Sequence, residues 1–68
     1  MEVNMKPRDQ AIKVLESNGY AFERNGKKHD IFYNAKLRCS IPLKRHDFDE
    51  GDLRYIQKEI NHNQRDRG

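Results

Sequence analysis

The sequence has few of the residues that characterise secreted, metal-binding or membrane proteins. It contains one cysteine, Cys39, so an internal disulfide is impossible, and no spacing of Cys and His resembles a zinc site. Its apolar runs are only a few residues long, whereas a helix that crosses a bilayer needs roughly 20. The N-terminus lacks the apolar stretch of a signal peptide. We therefore expect a protein of the reducing cytoplasm that uses no metal and no other cofactor.

The chain is short and has little material for a hydrophobic core. In 68 residues, hydrophobic types make up 34% and charged types 37%. A chain of this length buries only roughly 60% of the surface that its unfolded form exposes. The sequence therefore predicts one small domain over residues 1–68. The lead-in at 1–4 and the tail at 62–68, which has no apolar anchor, are expected to be disordered.

Basic residues are concentrated in the middle of the chain. Fourteen Lys and Arg against eleven Asp and Glu give a formal net charge of +3. Most acids lie in the flanks, whereas the central basic residues are Arg24, Lys27, Lys28, Lys36, Arg38, Lys44 and Arg45. A basic centre of this kind favours a polyanion such as nucleic acid. On charge alone, a solvated surface without a ligand is an equally good interpretation.

The two ends of the chain carry helix signals. Proline suits the first position of a helix, which predicts a helix over Pro7–Asn18 with an apolar stripe at three- and four-residue spacing. A second helix is predicted over Asp49–Asn61, with its first residue as the cap and Asp52 three residues later. Phe48 and Leu53 occupy the positions of a hydrophobic staple at its start.

Three short strand-like runs lie between the helices. Tyr20–Arg24, His29–Tyr33 and Leu37–Ile41 are joined by connections of hairpin length, which predicts an antiparallel meander. Pro42 is expected to end the third strand. For the middle strand, the sequence does not indicate which face is buried, because both faces carry apolar residues. The predicted fold class is α+β with the order α-β-β-β-α, the layout of double-stranded-RNA-binding domains, with both helices on one face of a three-stranded sheet.

His29 and His46 are the two histidines next to basic residues. A histidine suits proton transfer because its ordinary pKa is about 6.5. Cleavage of RNA needs a base, an acid and positive charge for the phosphate, and Lys27 and Lys28 could supply that charge without a metal. The plainer interpretation is that His29 only begins a strand beside two solvated lysines, and the local pattern leaves both open. Cys39 is interpreted as a small buried hydrophobe rather than a nucleophile.

Four pieces of the sequence occur in an order that is typical of one family. "MKPRDQAIKVLESNGY" resembles that family's amphipathic first helix, which ends in Asn-Gly-aromatic, and "GKKH" stands where it has a Gly-Ser-His or Gly-Ser-X-His hairpin. "SIP" matches its strand that ends in Val-Pro, and "GDLRYIQKEI" resembles its Gly-Thr-Leu-Arg-X-Ile-Leu-Lys helix. Over Met5 to about Asn61, the chain therefore resembles the HicA, or YcfA-like, family of toxin–antitoxin ribonucleases.

This resemblance implies an mRNA-cleaving toxin with a double-stranded-RNA-binding-like fold, one essential histidine and no required metal. The family's catalytic histidine maps onto His29. Lysines replace the small and variable residues of the family's hairpin, and the residues expected to bind RNA are Gly26, Lys27, Lys28, Arg24 and Lys36. The implied partner is a HicB-like antitoxin protein that masks His29. A non-catalytic RNA-binding module of the same fold is the alternative, and a small interaction domain with an incidental basic face is a third.

Overall fold

Two helices and one three-stranded sheet make up the part of the chain that the computed structural model describes, residues 5–67. In chain order the elements are α1 (Pro7–Ser17), β1 (Tyr20–Asn25), β2 (His29–Asn34), β3 (Cys39–Lys44) and α2 (Glu50–Arg67). The strands pair antiparallel in the order β1-β2-β3. The predicted α-β-β-β-α fold is therefore confirmed. Within residues 5–67, neither helix combines the length and the apolar character that crossing a bilayer requires.

The predicted helix starts are also confirmed. Pro7 is the first residue of α1. At the start of α2, the backbone N–H of Asp52 donates to Oδ1 of Asp49 at 3.0 Å, and the backbone N–H of Asp49 donates to Oδ2 of Asp52 at 3.1 Å. This reciprocal pair satisfies two N–H groups that a helix start otherwise leaves without partners.

The core lies between the two helices and one face of the sheet. Phe32 is 4% exposed and faces the helices, whereas Ile31 and Tyr33 are half-buried on the opposite face, which settles the open choice for the middle strand. Cys39 is half-buried rather than fully buried, and it packs against the same core. The buried hydrophobic side chains are Ala11, Leu15, Tyr20, Phe32, Ile41, Leu43, Leu53, Ile56 and Ile60.

The predicted bounds of the third strand are wrong at both ends. The prediction was Leu37–Ile41, but β3 covers Cys39–Lys44, because residues 35–38 form the turn that follows β2. Pro42 does not end the strand and instead pairs with Ile31 of β2. A proline is tolerated there because β3 is an edge strand, so its missing N–H removes no bond to a further strand.

Asn34 explains why the turn takes up four residues. Its side chain is buried, its Oδ1 accepts from the backbone N–H of Leu37 at 3.0 Å, and its backbone carbonyl accepts from Arg38 at 2.7 Å. Its Nδ2 donates to the carbonyl of Asn18 at 3.0 Å, at the end of α1. One amide side chain therefore fixes the β2–β3 turn and joins it to the α1–β1 connection.

The second helix is longer than predicted. It ends at Arg67 rather than at about Asn61, so the tail predicted to be disordered is helical from His62 to Arg67. The additional turns have polar anchors: Nδ2 of Asn63 donates to the Tyr20 hydroxyl at 3.0 Å, and Nε2 of Gln64 donates to Oδ1 of Asn18 at 2.8 Å. The disorder predicted for residues 1–4 and for residue 68 falls outside the described residues.

Replacing Asn34 by Ala is expected to lower the free energy of unfolding by about 1–3 kcal/mol, because the N–H of Leu37 and the carbonyl of Asn18 lose their partner next to the core. Urea denaturation measures the change. Ser40→Ala is the matched control, since Ser40 is exposed on the neighbouring strand. Equal stability of the two variants would contradict the role of Asn34.

Candidate functional site

The β1–β2 hairpin places His29 at one end of the sheet. The backbone N–H of Gly26 donates to the carbonyl of His29 at 2.7 Å and closes the hairpin. A Cβ at residue 26 would lie 2.9 Å from that carbonyl oxygen, so the close approach requires glycine. His29 is half-buried and pairs with Lys44 of β3. The residues after β3 are therefore next to the histidine.

Three charged residues, Arg8, Asp30 and Arg45, form an ion-pair cluster beside the hairpin, here named the Asp30 cluster. Nη2 of Arg8 lies 2.6 Å from Oδ2 of Asp30, and Nη1 of Arg45 lies 2.8 Å from Oδ1. The hydrogen bond from Arg45 is the largest influence on Asp30, and with the bond from Arg8 it outweighs partial desolvation and lowers the pKa of the carboxyl. Asp30 is therefore held ionised between two guanidinium groups.

Both arginines of the Asp30 cluster also bind backbone carbonyls. Nη2 of Arg45 donates to the carbonyls of Gly26 and Lys27, at 2.8 Å and 2.5 Å. Nε of Arg8 donates to the carbonyl of Lys44 at 2.7 Å. The cluster thus joins α1, the β1–β2 hairpin and the end of β3, and it fixes the backbone on both sides of His29.

An open cleft of about 420 Å³, here named the basic cleft, lies over this end of the sheet. It is lined by Lys27, Lys28, His29, Lys44, Arg45 and His46. Every lining residue is a lysine, an arginine or a histidine. Lys27 and Lys28 are exposed, and no ion pair in the described part of the chain involves either of them. The cleft is therefore suited to bind an anionic group.

The structure brings only some of the predicted site residues together. His29, Lys27 and Lys28 line the basic cleft, whereas Gly26 does not line it and contributes backbone hydrogen bonds. Arg24 is exposed on β1, pairs with Glu23 at 2.6 Å and does not line the cleft. Lys36 lies in the β2–β3 turn, at the opposite end of a six-residue strand, so it is about 17 Å or more from His29 along the sheet.

The other side of the basic cleft was not among the residues assigned to the site, although the sequence had indicated His46 as a second histidine next to basic residues. It is formed by Lys44, Arg45 and His46, which end β3 and begin the connection to α2. The available signal was the run "KRH" at the end of a strand that pairs with β2. Antiparallel pairing places the end of β3 beside the start of β2, so this run had to lie near His29.

Comparison of the chain with models of protein families, with curated proteins and with solved structures gave no match. The resemblance to the HicA family therefore stays a hypothesis that rests on the sequence motifs. Among residues 5–67, no group of three or more His, Cys, Asp or Glu side chains is arranged to hold a metal ion.

Replacing Asp30 by Asn is expected to lower the free energy of unfolding at neutral pH by about 1–3 kcal/mol, because two guanidinium groups lose a charged acceptor. The pKa of Asp30 is lowered by folding, so its contribution is present above the unfolded value of about 3.9 and is lost as the pH falls through the folded value. The difference between wild type and variant should therefore shrink below about pH 4. Chemical denaturation at neutral and acid pH measures it.

The matched control for this prediction is Glu23→Gln, which breaks the exposed ion pair with Arg24. Exposed pairs contribute only about 0–1 kcal/mol. If Asp30→Asn were no more destabilising than Glu23→Gln at neutral pH, the Asp30 cluster would not hold the site together.

Proposed function

We propose that this protein is an endoribonuclease that cleaves mRNA without a metal, as the toxin of a HicA/HicB-type toxin–antitoxin system. The observation that carries the proposal is the basic cleft, in which His29 lies together with Lys27, Lys28 and His46. A cleft with only cationic and imidazole side chains attracts phosphodiesters and raises their local concentration. The sequence motifs of the HicA family supply the substrate class.

The two hairpin lysines are suited to hold the scissile phosphate. Lys27 and Lys28 are exposed and carry flexible point charges, and they follow directly on the backbone that Arg45 fixes. During cleavage, negative charge develops on the phosphate oxygens, and positive charge next to those oxygens stabilises the transition state. The lysines would therefore serve both binding and catalysis.

Two imidazoles in one cleft match the two proton transfers of RNA cleavage. The 2′-hydroxyl attacks the adjacent phosphorus and gives its proton to a base, while an acid protonates the leaving 5′-oxygen. A 2′,3′-cyclic phosphate and a 5′-hydroxyl result, so atoms and charge balance without an added reagent. One histidine cannot fill both roles at the same moment. His29 and His46, which line the same cleft, could share them.

The backbone around His29 is suited to hold the imidazole in a defined position. Its carbonyl accepts the hairpin hydrogen bond from Gly26, and the next residue is the carboxylate that binds Arg8 and Arg45. Catalytic groups that are already oriented need less reorganisation in the transition state. This support favours chemistry at His29 over a histidine that merely begins a strand.

The proposed partner is a HicB-like antitoxin protein that covers the basic cleft and masks His29. The openness of the cleft on the isolated chain is compatible with such a partner, and the family resemblance supplies its identity. An enzyme of this class would act in the cytoplasm, where its mRNA substrate is found. Expression of the chain alone should then arrest growth, and co-expression of the antitoxin should restore it.

A non-catalytic RNA-binding module is the second candidate, and the same basic cleft favours it. Such a module would bind the RNA backbone with an affinity that falls steeply with salt concentration, and it would leave the RNA intact. Cleavage and binding must therefore be measured separately.

Replacing His29 by Ala is expected to slow RNA cleavage by about 100-fold or more, because one proton transfer loses its side chain. His46→Ala should cause a loss of the same order. His62→Ala is the matched control, since His62 is an exposed histidine of α2 that does not line the basic cleft. Initial rates on end-labelled RNA measure cleavage, and a 2′-O-methyl RNA that cannot be cleaved measures binding.

Full activity of His29→Ala would overturn the catalytic assignment. Tight, salt-dependent binding by a wild-type protein that leaves the RNA intact would support the non-catalytic module instead.

A further inference from the structure

A second cleft adjoins the basic cleft on the side of α2. Its volume is about 200 Å³, and it is here named the aromatic cleft. It is lined by His29, Pro42, Lys44, Phe48, Asp52, Tyr55 and Ile56. His29 and Lys44 line both clefts and therefore lie on their common boundary. Whatever fills the aromatic cleft is next to the proposed catalytic histidine.

The walls of the aromatic cleft differ in kind from those of the basic cleft. Tyr55 is 55% exposed, although it is a large aromatic residue, and Pro42 is also exposed. Phe48 is half-buried and packs against the core, so it forms a firm base. Exposed aromatic rings provide flat surfaces on which nucleobases stack, and such stacking is tolerant of base identity because every base has a π-face.

The two clefts also differ in the charged residues that line them. The aromatic cleft contains a carboxylate, Asp52, whereas the basic cleft contains none. The backbone N–H of Asp49 is the largest influence that lowers the pKa of Asp52, and Lys44 at 3.3 Å also lowers it. The carboxylate of Asp52 accepts from Nζ of Lys44 and from the backbone N–H of Asp49, and both bonds end on Oδ2. Because Lys44 neutralises this carboxylate, the aromatic cleft has no excess of positive charge to hold a phosphate, and the carboxylate is an acceptor for the N–H donors of an uncharged nucleobase.

We propose that the aromatic cleft binds one unstacked nucleobase of single-stranded RNA, next to the phosphate that the basic cleft holds. This inference rests on the proposed function and adds to it a base-binding site and the single-stranded form of the substrate. A base inside a duplex cannot present its face to Tyr55, so the substrate is single-stranded at the cleavage site. Tyr55 acts as a stacking platform, and the base stacked on it positions the adjacent phosphate beside His29.

The experiment compares two probes of equal length and equal charge. One is a short single-stranded 2′-O-methyl RNA of mixed sequence, and the other is its abasic counterpart. Fluorescence polarisation at fixed salt gives the dissociation constants. The wild-type protein should bind the base-containing probe about 5- to 100-fold more tightly than the abasic one. Tyr55→Ala should lose most of this difference, while Tyr55→Phe should keep it because the ring remains.

Phe22→Ala is the matched control, since Phe22 is 53% exposed and lines neither cleft. It should keep the preference for the base-containing probe, and thermal unfolding shows whether each variant is folded. Equal binding of the two probes by the wild type, or an undiminished preference in folded Tyr55→Ala, overturns the inference and leaves the proposed function standing. A wild type that binds neither probe overturns both.

Discussion

The carboxylate of Asp30 is the point on which the arrangement of this domain depends. It binds guanidinium groups from α1 and from the connection that follows β3, and the second of these, on Arg45, also binds two carbonyls of the hairpin. Its partial burial makes the pairing matter, because removal of one partner leaves a poorly solvated charge. The arginines, with planar and directional donors, hold the fold. Lys27 and Lys28 are left exposed and available for an anionic ligand.

Most of the fold could be predicted because its signals are local. Pro7 and the Asp49 cap mark the helix starts within a few residues, and alternation with short connections gives the meander. The third strand was misplaced because the side chain of Asn34 binds the backbone N–H of Leu37 and holds residues 35–38 in a turn, whereas the alternating pattern alone places Leu37 in a strand. The end of α2 was missed because Asn63 binds a tyrosine 43 positions away, and such a contact leaves no periodicity in the sequence.

The candidate site also has one half that the sequence indicates and one half that depends on contacts distant in the chain. The half that contains His29 is one contiguous stretch, so its composition and the family resemblance were enough to propose it as a candidate. The half that contains His46 belongs to the connection after β3, and it meets His29 only through strand pairing. The Asp30 cluster joins residues 22 and 15 positions apart, and no spacing rule predicts it. Tyr55 likewise reaches the site only through the packing of α2 beside β3.

The chemistry of the RNA ends distinguishes metal-independent cleavage at His29 from other routes of RNA hydrolysis. Wild-type protein is incubated with single-stranded RNA in the presence of EDTA, and the fragments are analysed by mass spectrometry. Metal-independent attack by the 2′-hydroxyl, assisted by His29, predicts a 2′,3′-cyclic phosphate on the upstream fragment and a 5′-hydroxyl on the downstream one. A 3′-hydroxyl with a 5′-phosphate, or cleavage that EDTA abolishes, would contradict the account.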